Sequence, residues 1–585
     1  MELKIPYGEV DLKKIREEGY LYIDKTMYIE KLEKNSKIIY TRPRRFGKSM
    51  LTSMLAYYYS INEAENFEKI FKGLYIYDHP TPYKNSYYVL QFNFSGMQTG
   101  TDKTLEQIEE QFKVLVISGI KNCINSYNLD INVSEEGTSA DVFRKFLVDF
   151  KALNKKHKIY VMIDEYDHFT NGMLKGDGQR FLSILGNSGF VRAFYEVIKE
   201  NLEQLNPPLE RFFATGVTPL TLDSLTSGFN IATKITNNPL FTAMCGLTEE
   251  EVRYAIKESG VQNPEEAFNK MQENYDGYIF NEYDQSHIFN TTLVMYYLNT
   301  LQTLGFPPKN LVDGNLAATG SKIENMAGLI NREENYKVLD ELLMNGEIVA
   351  NLTESFELEK RFNKDDFISL LFYNGYLTIK EQNGMELKFH EPNYVTKTLY
   401  SSYFLELTDI AKKYKIDTSE ISSAIIELGQ RGNIKPLVEK VSEFLYHCST
   451  RDKENFNEMN LKHVFSMILA FTSQFMTYGE YPAGQGFVDM YIAKAANSLA
   501  TYEAVVELKY LNREKARKFN FKKSVKEARE QMERYLEDKR MKDKDNLKKF
   551  VIVFEGFDKY YIEELWKTWR RIRATKAFIL FFVRK

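Results

Sequence analysis

The sequence predicts an α/β protein in three parts: a parallel sheet covered by helices on both faces, a helical middle region, and a second compact α/β domain. Three observations predict it. Apolar runs of β type alternate with long stretches of helical spacing as far as about residue 245, the pattern then turns mostly helical, and strands and helices alternate again from about residue 460. A chain of 585 residues has room for roughly three or four domains. The pattern changes divide it into residues 1–245, 246–400, a helical linker at 401–459, and 460–585.

Taken in order, Lys37-Ile38-Ile39-Tyr40-Thr41 is a short β-type run, and Met50 to Leu55 reads as helix, with a loop between them. Further strands are expected at Tyr87 to Phe94, Ile159 to Ile163 and Phe212 to Thr215. Helical spacing separates them at Thr104 to Cys123 and at Ser139 to Leu153. Strands alternating with helices imply a parallel sheet buried on both faces. Thr248, three residues ahead of Glu251, forms a capping box that opens the helical region. Near its end, Gly375 to Ile379 and Glu386 to Phe389 flank Asn383-Gly384, a tight-hairpin signal, so helices followed by a hairpin give a winged-helix-like outline. The last part starts with a helix carrying Leu461, Val464, Phe465, Ile468, Phe471 and Phe475 on one face. Strands follow at Gly486 to Ile492 and Ala504 to Lys509, then a charged helix from Lys522 to Lys539, then strands at Phe550 to Phe554 and Phe578 to Val583.

Formal charge is 77 basic minus 81 acidic residues, or -4, so any nucleic-acid partner must be met by a local patch. One segment, residues 509–549, carries sixteen basic against eight acidic residues, an excess that suits phosphate contact or a solvated helix face. Cys123, Cys245 and Cys448 are far apart and lack metal-ligand spacing, which argues against a disulfide framework or a structural zinc and suits a reducing cytoplasm. Neither secretion nor a membrane span is expected, because no run of about eighteen apolar residues occurs.

A loop that binds phosphate needs inward N–H groups, a Lys to reach the β- and γ-phosphates and a hydroxyl to ligate Mg²⁺, all at a helix N-terminus. Gly47-Lys48-Ser49 supplies these in order, although Arg42 stands where the general motif has its first Gly. The run Ile159 to Ile163 then ends in Asp164-Glu165: Asp164 is placed to hold Mg²⁺ and Glu165 to polarise an attacking water. Thr215 ends another apolar strand, where it would sense the γ-phosphate or cap a helix. Arg42, Arg44 and Arg45 put three guanidinium groups near the phosphates; they would contact γ-phosphate, pair with neighbours such as Asp24, or face a nucleic-acid partner.

Phosphodiester cleavage with Mg²⁺ needs carboxylates gathered at a sheet edge and a cation beside them. Asp489 lies within one apolar strand, and Glu507 and Lys509 lie two apart on the next, sharing a face by strand alternation, a pattern that by itself also suits an ordinary polar strand face.

With these motifs in view, the chain resembles the AAA-ATPase-like proteins that carry a C-terminal PD-(D/E)XK nuclease-superfamily domain. The residues that carry the resemblance are Ile5-Pro6-Tyr7-Gly8, Tyr22-Ile23-Asp24-Lys25-Thr26, the loop Arg42-Pro43-Arg44-Arg45-Phe46-Gly47-Lys48-Ser49, Asp164-Glu165-Tyr166-Asp167, Thr215-Gly216 and Tyr275-Asp276-Gly277-Tyr278. It implies a P-loop NTPase (AAA-like) domain in which Arg42 through Met50, Asp164 and Thr215 bind ATP, Ser49 and Asp164 hold Mg²⁺, and Glu165 is the hydrolytic base. It also implies a restriction-endonuclease-like α/β domain with Asp489, Glu507 and Lys509 catalytic and Asp489 and Glu507 on metal. Gln531, with Tyr535 one turn on, matches a Gln often found on the family's following helix. A first-helix acidic ligand has no clear counterpart, Glu480 being the candidate.

The function expected is an ATP-binding and ATP-hydrolysing protein coupled to a Mg²⁺-dependent nuclease. Its partner would be nucleic acid, DNA before RNA, with a homo-oligomer left open and no membrane, in defence, mobile-element or DNA-repair processes. Two other readings stand: an ATP-switched protein whose nuclease-like domain grips without cutting, and a motor remodelling DNA ends, disfavoured by a single phosphate loop without a helicase signature.

Overall fold

The computed structural model describes residues 3–98, 103–168, 189–219, 231–308, 332–356, 362–384, 386–399, 418–447, 456–472, 474–483, 486–495, 498–512, 521–535, 546–557 and 559–565, with a few single positions between them. The chain forms two compact units, one of residues 1–335 with 349–393 and the other of residues 336–348 with 394–585.

The first unit is built on a parallel sheet of five strands: β1 (Lys37–Thr41), β2 (Tyr87–Asn93), β3 (Lys158–Asp164), β4 (Leu209–Gly216) and β5 (Thr233–Lys234), in the order β2-β3-β4-β1-β5. Nearly every residue of β1, β3 and β4 is buried, as expected of central strands covered on both faces. The covering helices include α1 (Lys48–Tyr59), α2 (Leu105–Tyr127), α3 (Ser139–Ala152) and α4 (Phe190–Glu203). Complete capping boxes, Thr104 with Gln107 and Thr138 with Asp141, satisfy orphan N–H groups at the starts of α2 and α3. Phenylalanines fill the layer between: the Phe194 ring lies 5.3 Å from Phe92, 5.4 Å from Phe112 and 5.2 Å from Phe143. Such pairs add about 1 kcal/mol each beyond burial, which gives the aromatic-rich composition a structural role.

The helical part of this unit holds α5 (Glu249–Glu258), α6 (Pro264–Tyr275), α7 (Thr291–Leu304) and α8 (Lys364–Tyr373). Thr248 and Glu251 form the expected capping box at the start of α5. The hairpin of β6 (Thr378–Asn383) and β7 (Glu386–His390) turns at Gly384, whose φ of +67° is the left-handed value such a turn requires.

The second unit contains a mixed sheet of β8 (Phe475–Ala483), β9 (Gly486–Lys494), β10 (Glu503–Leu511), β11 (Leu547–Glu555) and β12 (Lys559–Glu564), in the order β12-β11-β10-β9-β8. Only β10 and β11 run parallel. A parallel pair needs a crossover, and α10 (Phe521–Tyr535) supplies it, with Ala528 and Met532 buried against Val505, Val551 and Val553. The helix α9 (Glu458–Ala470) precedes the sheet and packs against β8 and β10.

Two described strands of this second unit differ from the sequence reading. Phe475 opens β8 instead of closing the apolar face of the helix, which ends at Ala470 with Phe471 as its C-cap. Gly479 and Pro482 hide β8 by breaking its apolar alternation, and an edge strand tolerates both. The other edge strand, β12, is half polar and equally hard to read. The strand expected at Phe578 to Val583 lies outside the described residues.

Candidate functional site

In the first unit, β1 delivers the chain to the loop and α1 takes it away, starting at Lys48. Gly47 has φ +95°, a conformation that a Cβ would strain. Arg45 also sits in the left-handed region, at φ +70°, and its surroundings hold it there. Its carbonyl accepts from the Thr292 N–H at 3.1 Å and the Thr292 hydroxyl at 3.0 Å, while the Phe46 carbonyl accepts from the Gly246 N–H at 2.8 Å and the Thr291 hydroxyl at 3.2 Å. The Phe46 ring is buried edge-on to Tyr278 and Phe280, so the Tyr275 to Tyr278 stretch backs the loop.

Lys48 is buried, and its Nζ donates to the carbonyls of Arg42 and Pro43, each at 2.9 Å. Burial pushes the amine below its ordinary pKa, against the opposing pull of Asp164 and Asp167. Ser49 follows in the first turn of α1, half-buried. Arg42 departs from the expected role. Its guanidinium is buried and donates to the carbonyls of Thr41, Thr236, Phe241 and Thr242 at 2.9 to 3.3 Å, stacked over Tyr40 and Phe280. It ties the loop down and offers the site only its carbonyl. Arg44 is half-buried, and its Nε has no hydrogen-bond partner.

The parallel register puts Thr215 beside Tyr40 on one side and the end of β3 on the other. The Thr215 hydroxyl donates to Asp164 Oδ1 at 2.6 Å, and the Glu165 N–H donates to the same oxygen at 3.0 Å. Glu165, at φ +54°, lies 2.8 Å from His168 Nδ1; this contact holds its carboxyl below the usual range, with burial opposing. Asp167 accepts from the N–H groups of Val217 and Thr218, fixing the turn after β4. Beside Arg45, Phe46 and Gly47 opens a cavity of about 230 Å³, lined mainly by apolar groups from Pro6, Tyr7, Leu21, Met50, Met54 and Met295.

In the second unit, Met490 pairs with Val506, and one further step of that antiparallel register brings Asp489 opposite Glu507. Lys509 Nζ lies 3.0 Å from Glu507 Oε1, 3.4 Å from Glu458 Oε1 and 3.6 Å from Asp489 Oδ2. Asp489 Oδ2 also accepts from the Leu508 N–H at 2.8 Å, and Asp489 Oδ1 lies 2.6 Å from Lys462 Nζ. Glu507 is 1% exposed and its Oε2 has no hydrogen-bond partner. Burial, then the charge of Asp489, pushes the Glu507 carboxyl up to about 7, with Lys509 pulling the other way. Burial works against the Lys509 charge, but Glu507, Asp489 and Glu458 outweigh it and raise its pKa. Gln531 Oε1 is likewise buried and unpartnered. Tyr535 lies close enough for the charges of Glu507 and Asp489 to raise its pKa after burial does; its ring packs against Gly486, where a Cβ would stand 2.6 Å from the ring.

Sequence reasoning missed Glu458 and Lys462, which sit at i and i+4 in the first turns of α9. The Glu-x-x-x-Lys spacing just inside a capped helix was the available signal. Glu480 lies on β8, not on a helix, and its side chain is outside the described residues. The basic strip also reads differently: Lys523 and Lys526 face Glu527 and Glu530, Arg529 binds Glu563, Lys544 binds Glu503 and Lys548 binds Glu564. Among the described residues, no three His, Cys, Asp or Glu side chains are grouped closely enough to hold a metal, and Asp489 and Glu507 are each paired with a lysine.

Fold and geometry thus define two classes of domain in one chain: a P-loop-like α/β domain and a mixed-sheet domain of nuclease type. The chain carries a predicted AAA-ATPase domain of the AAA-ATPase-like family at residues 6–226 and a PD-(D/E)XK nuclease-superfamily domain at residues 456–564. It is similar to an uncharacterized protein in the vnfD 5′ region of Azotobacter chroococcum mcd 1, 28% identical over 253 residues. That match spans 43% of this chain and 44% of the relative, under half the length of either. Among the described residues, no helix is long and apolar enough to cross a membrane.

Proposed function

We propose that the chain binds and hydrolyses ATP in its first unit and cleaves nucleic-acid phosphodiester bonds in its second, with a divalent metal. The observation that carries the nuclease half is the gathering of Asp489, Glu507 and Lys509 around a buried carboxylate oxygen that has no partner. An unpaired buried carboxylate oxygen is costly and suits a cation. Asp489 and Glu507 would hold Mg²⁺, which when bound would polarise the phosphodiester and lower the pKa of an attacking water. Lys509 would steady charge developing on the phosphate, and Gln531 would orient water or substrate through its unpartnered Oε1.

In the first unit, Lys48 holds carbonyls in place of an anion, and phosphate oxygens would take over those hydrogen bonds. Ser49 and Asp164 would hold Mg²⁺, with Thr215 fixing the carboxylate through its hydroxyl. Glu165, once released by His168, would accept the proton of the attacking water. The apolar cavity beside Gly47 suits the base and ribose of the nucleotide.

A second reading, an ATP-switched protein that grips nucleic acid without cutting, draws on one observation: Lys462 and Lys509 already neutralise much of the carboxylate charge. The deciding experiment is cleavage of single-stranded, duplex and branched DNA and of RNA, with Mg²⁺ or Mn²⁺, with and without ATP. Wild type should cut, Asp489→Ala should lose cutting while retaining ATP hydrolysis, and Lys48→Ala should lose nucleotide binding. Cutting retained in Asp489→Ala would refute the assigned site, and absence of cutting with ATP still bound would favour the binding protein.

A further inference from the structure

Lys462 makes the shortest ion pair in the second unit's cluster. Its Nζ lies 2.6 Å from Asp489 Oδ1 and 3.8 Å from Glu458 Oε1, against 3.0 Å for the nearest contact of Lys509. The other oxygen of Asp489 is held by the N–H of Leu508, a main-chain group fixed in β10. A metal ion recruiting Asp489 therefore meets one oxygen tied to the sheet and the other covered by an ammonium. The ammonium belongs to a flexible four-carbon stem on α9, and its side chain is 20% exposed, so it has room to leave. Lys509 is placed differently: it lies 3.6 Å from Asp489 Oδ2, the oxygen already tied to the sheet, and its closer contact at 3.0 Å is with Glu507 Oε1, leaving Oε2 of that carboxylate uncovered.

We propose that Lys462 is a built-in counter-ion that competes with divalent metal for Asp489, so that the site loads only as the ammonium moves off Oδ1. The inference rests on the reading of Asp489 and Glu507 as metal ligands. It assigns Lys462 a positioning role whose effect on metal affinity is opposite in sign to that of a supporting residue: removing its charge should tighten metal binding. A lysine that merely holds Asp489 in place would do the reverse.

The test is Mn²⁺ binding to the full chain, followed by electron paramagnetic resonance without nucleic acid, for wild type, Lys462→Gln, Lys462→Arg and Asp489→Asn. Lys462→Gln should bind Mn²⁺ about tenfold tighter, the equivalent of one partly buried ion pair removed from competition. Lys462→Arg, which keeps the cation, should stay near wild type, and Asp489→Asn should lose the site. Unchanged or weaker binding in Lys462→Gln, with the site still lost in Asp489→Asn, would overturn the competition and leave the metal site standing. Binding indifferent to Asp489→Asn, or no binding in wild type and Lys462→Gln alike, would overturn both. A measurement on wild type alone guards against a poorly folded variant. Acylation of the Lys462 amine, quantified by mass spectrometry, should rise several-fold when Mn²⁺ is added, and an unchanged yield would overturn the proposal.

Discussion

Lys48 is buried and Lys509 half-buried, both near carboxylates, yet their surroundings push them in opposite directions. Lys48 hydrogen-bonds only neutral carbonyls, and burial lowers its pKa despite Asp164 and Asp167 nearby. Lys509 touches three carboxylates, which raise its pKa against burial. The first site keeps a cation short of anions, and the second keeps a carboxylate, Glu507, short of cations. Each is frustrated in the sense that a ligand of opposite sign would relieve: nucleotide phosphates at Lys48, a divalent metal at Glu507. The contrast lies in the partners that the two folds deliver, since the amino acid is the same.

The largest expected effect tests that contrast directly. Lys48→Ala should weaken ATP binding by about a hundredfold or more, as the loss of a desolvated charge facing phosphate implies, measured by calorimetric titration. Lys509→Ala should leave ATP affinity unchanged and reduce cleavage by a similar factor. If both variants lost ATP binding, the two lysines would not serve separate ligands and the comparison would fail.

Arg42 gives the next largest effect, on stability rather than affinity. Arg42→Ala leaves the carbonyls of Thr41, Thr236, Phe241 and Thr242 without their donor and opens a cavity between Tyr40 and Phe280. A loss of about 3 kcal/mol or more is expected in the calorimetric unfolding transition that ATP shifts upward. Below that transition, ATP affinity should change by only about threefold or less, because the Arg42 carbonyl that meets Lys48 is main chain. A large affinity loss in the folded variant would return Arg42 to the phosphate contacts.

Arg42 also marks the limit of what the sequence reveals. The strand, loop and helix around Lys48 and the carboxylate at the end of β3 were legible from local periodicity and short spacing, whereas Asp489, Glu507 and Lys509 stood out through the family resemblance, and the structure brings those three side chains together. The direction of the Arg42 side chain was not, since it is set by carbonyls some 200 positions away. Glu458 and Lys462 left a spacing signal but no sign of their role: an i,i+4 pair on a helix usually lies in solvent, and only the packing of α9 against the sheet brings it to Asp489. Edge strands β8 and β12 escaped because half-polar edges carry little apolar signal.

The smallest effect concerns Glu507 and sharpens the idea of frustration. Its folded carboxyl is raised to about 7 from an ordinary value near 4.5, first by burial and then by Asp489. A raised folded pKa means that the native state binds this proton more tightly than the unfolded chain does. The stability it brings is therefore complete below about 4.5 and is lost as pH rises through about 7, leaving an ionised, half-paired carboxylate in the metal-free protein. Glu507→Gln removes the ionisation and keeps the shape. At pH 5 the variant should unfold with wild type, and at pH 8 it should be more stable by about 2 kcal/mol, read in the calorimetric transition that Mn²⁺ shifts in wild type. Mn²⁺ should narrow that gap by stabilising wild type only. Equal stability at pH 8 without metal would show that Lys509 already satisfies Glu507. The second unit's carboxylates would then be a balanced ion-pair network, and the difference between the two sites would be one of sign alone.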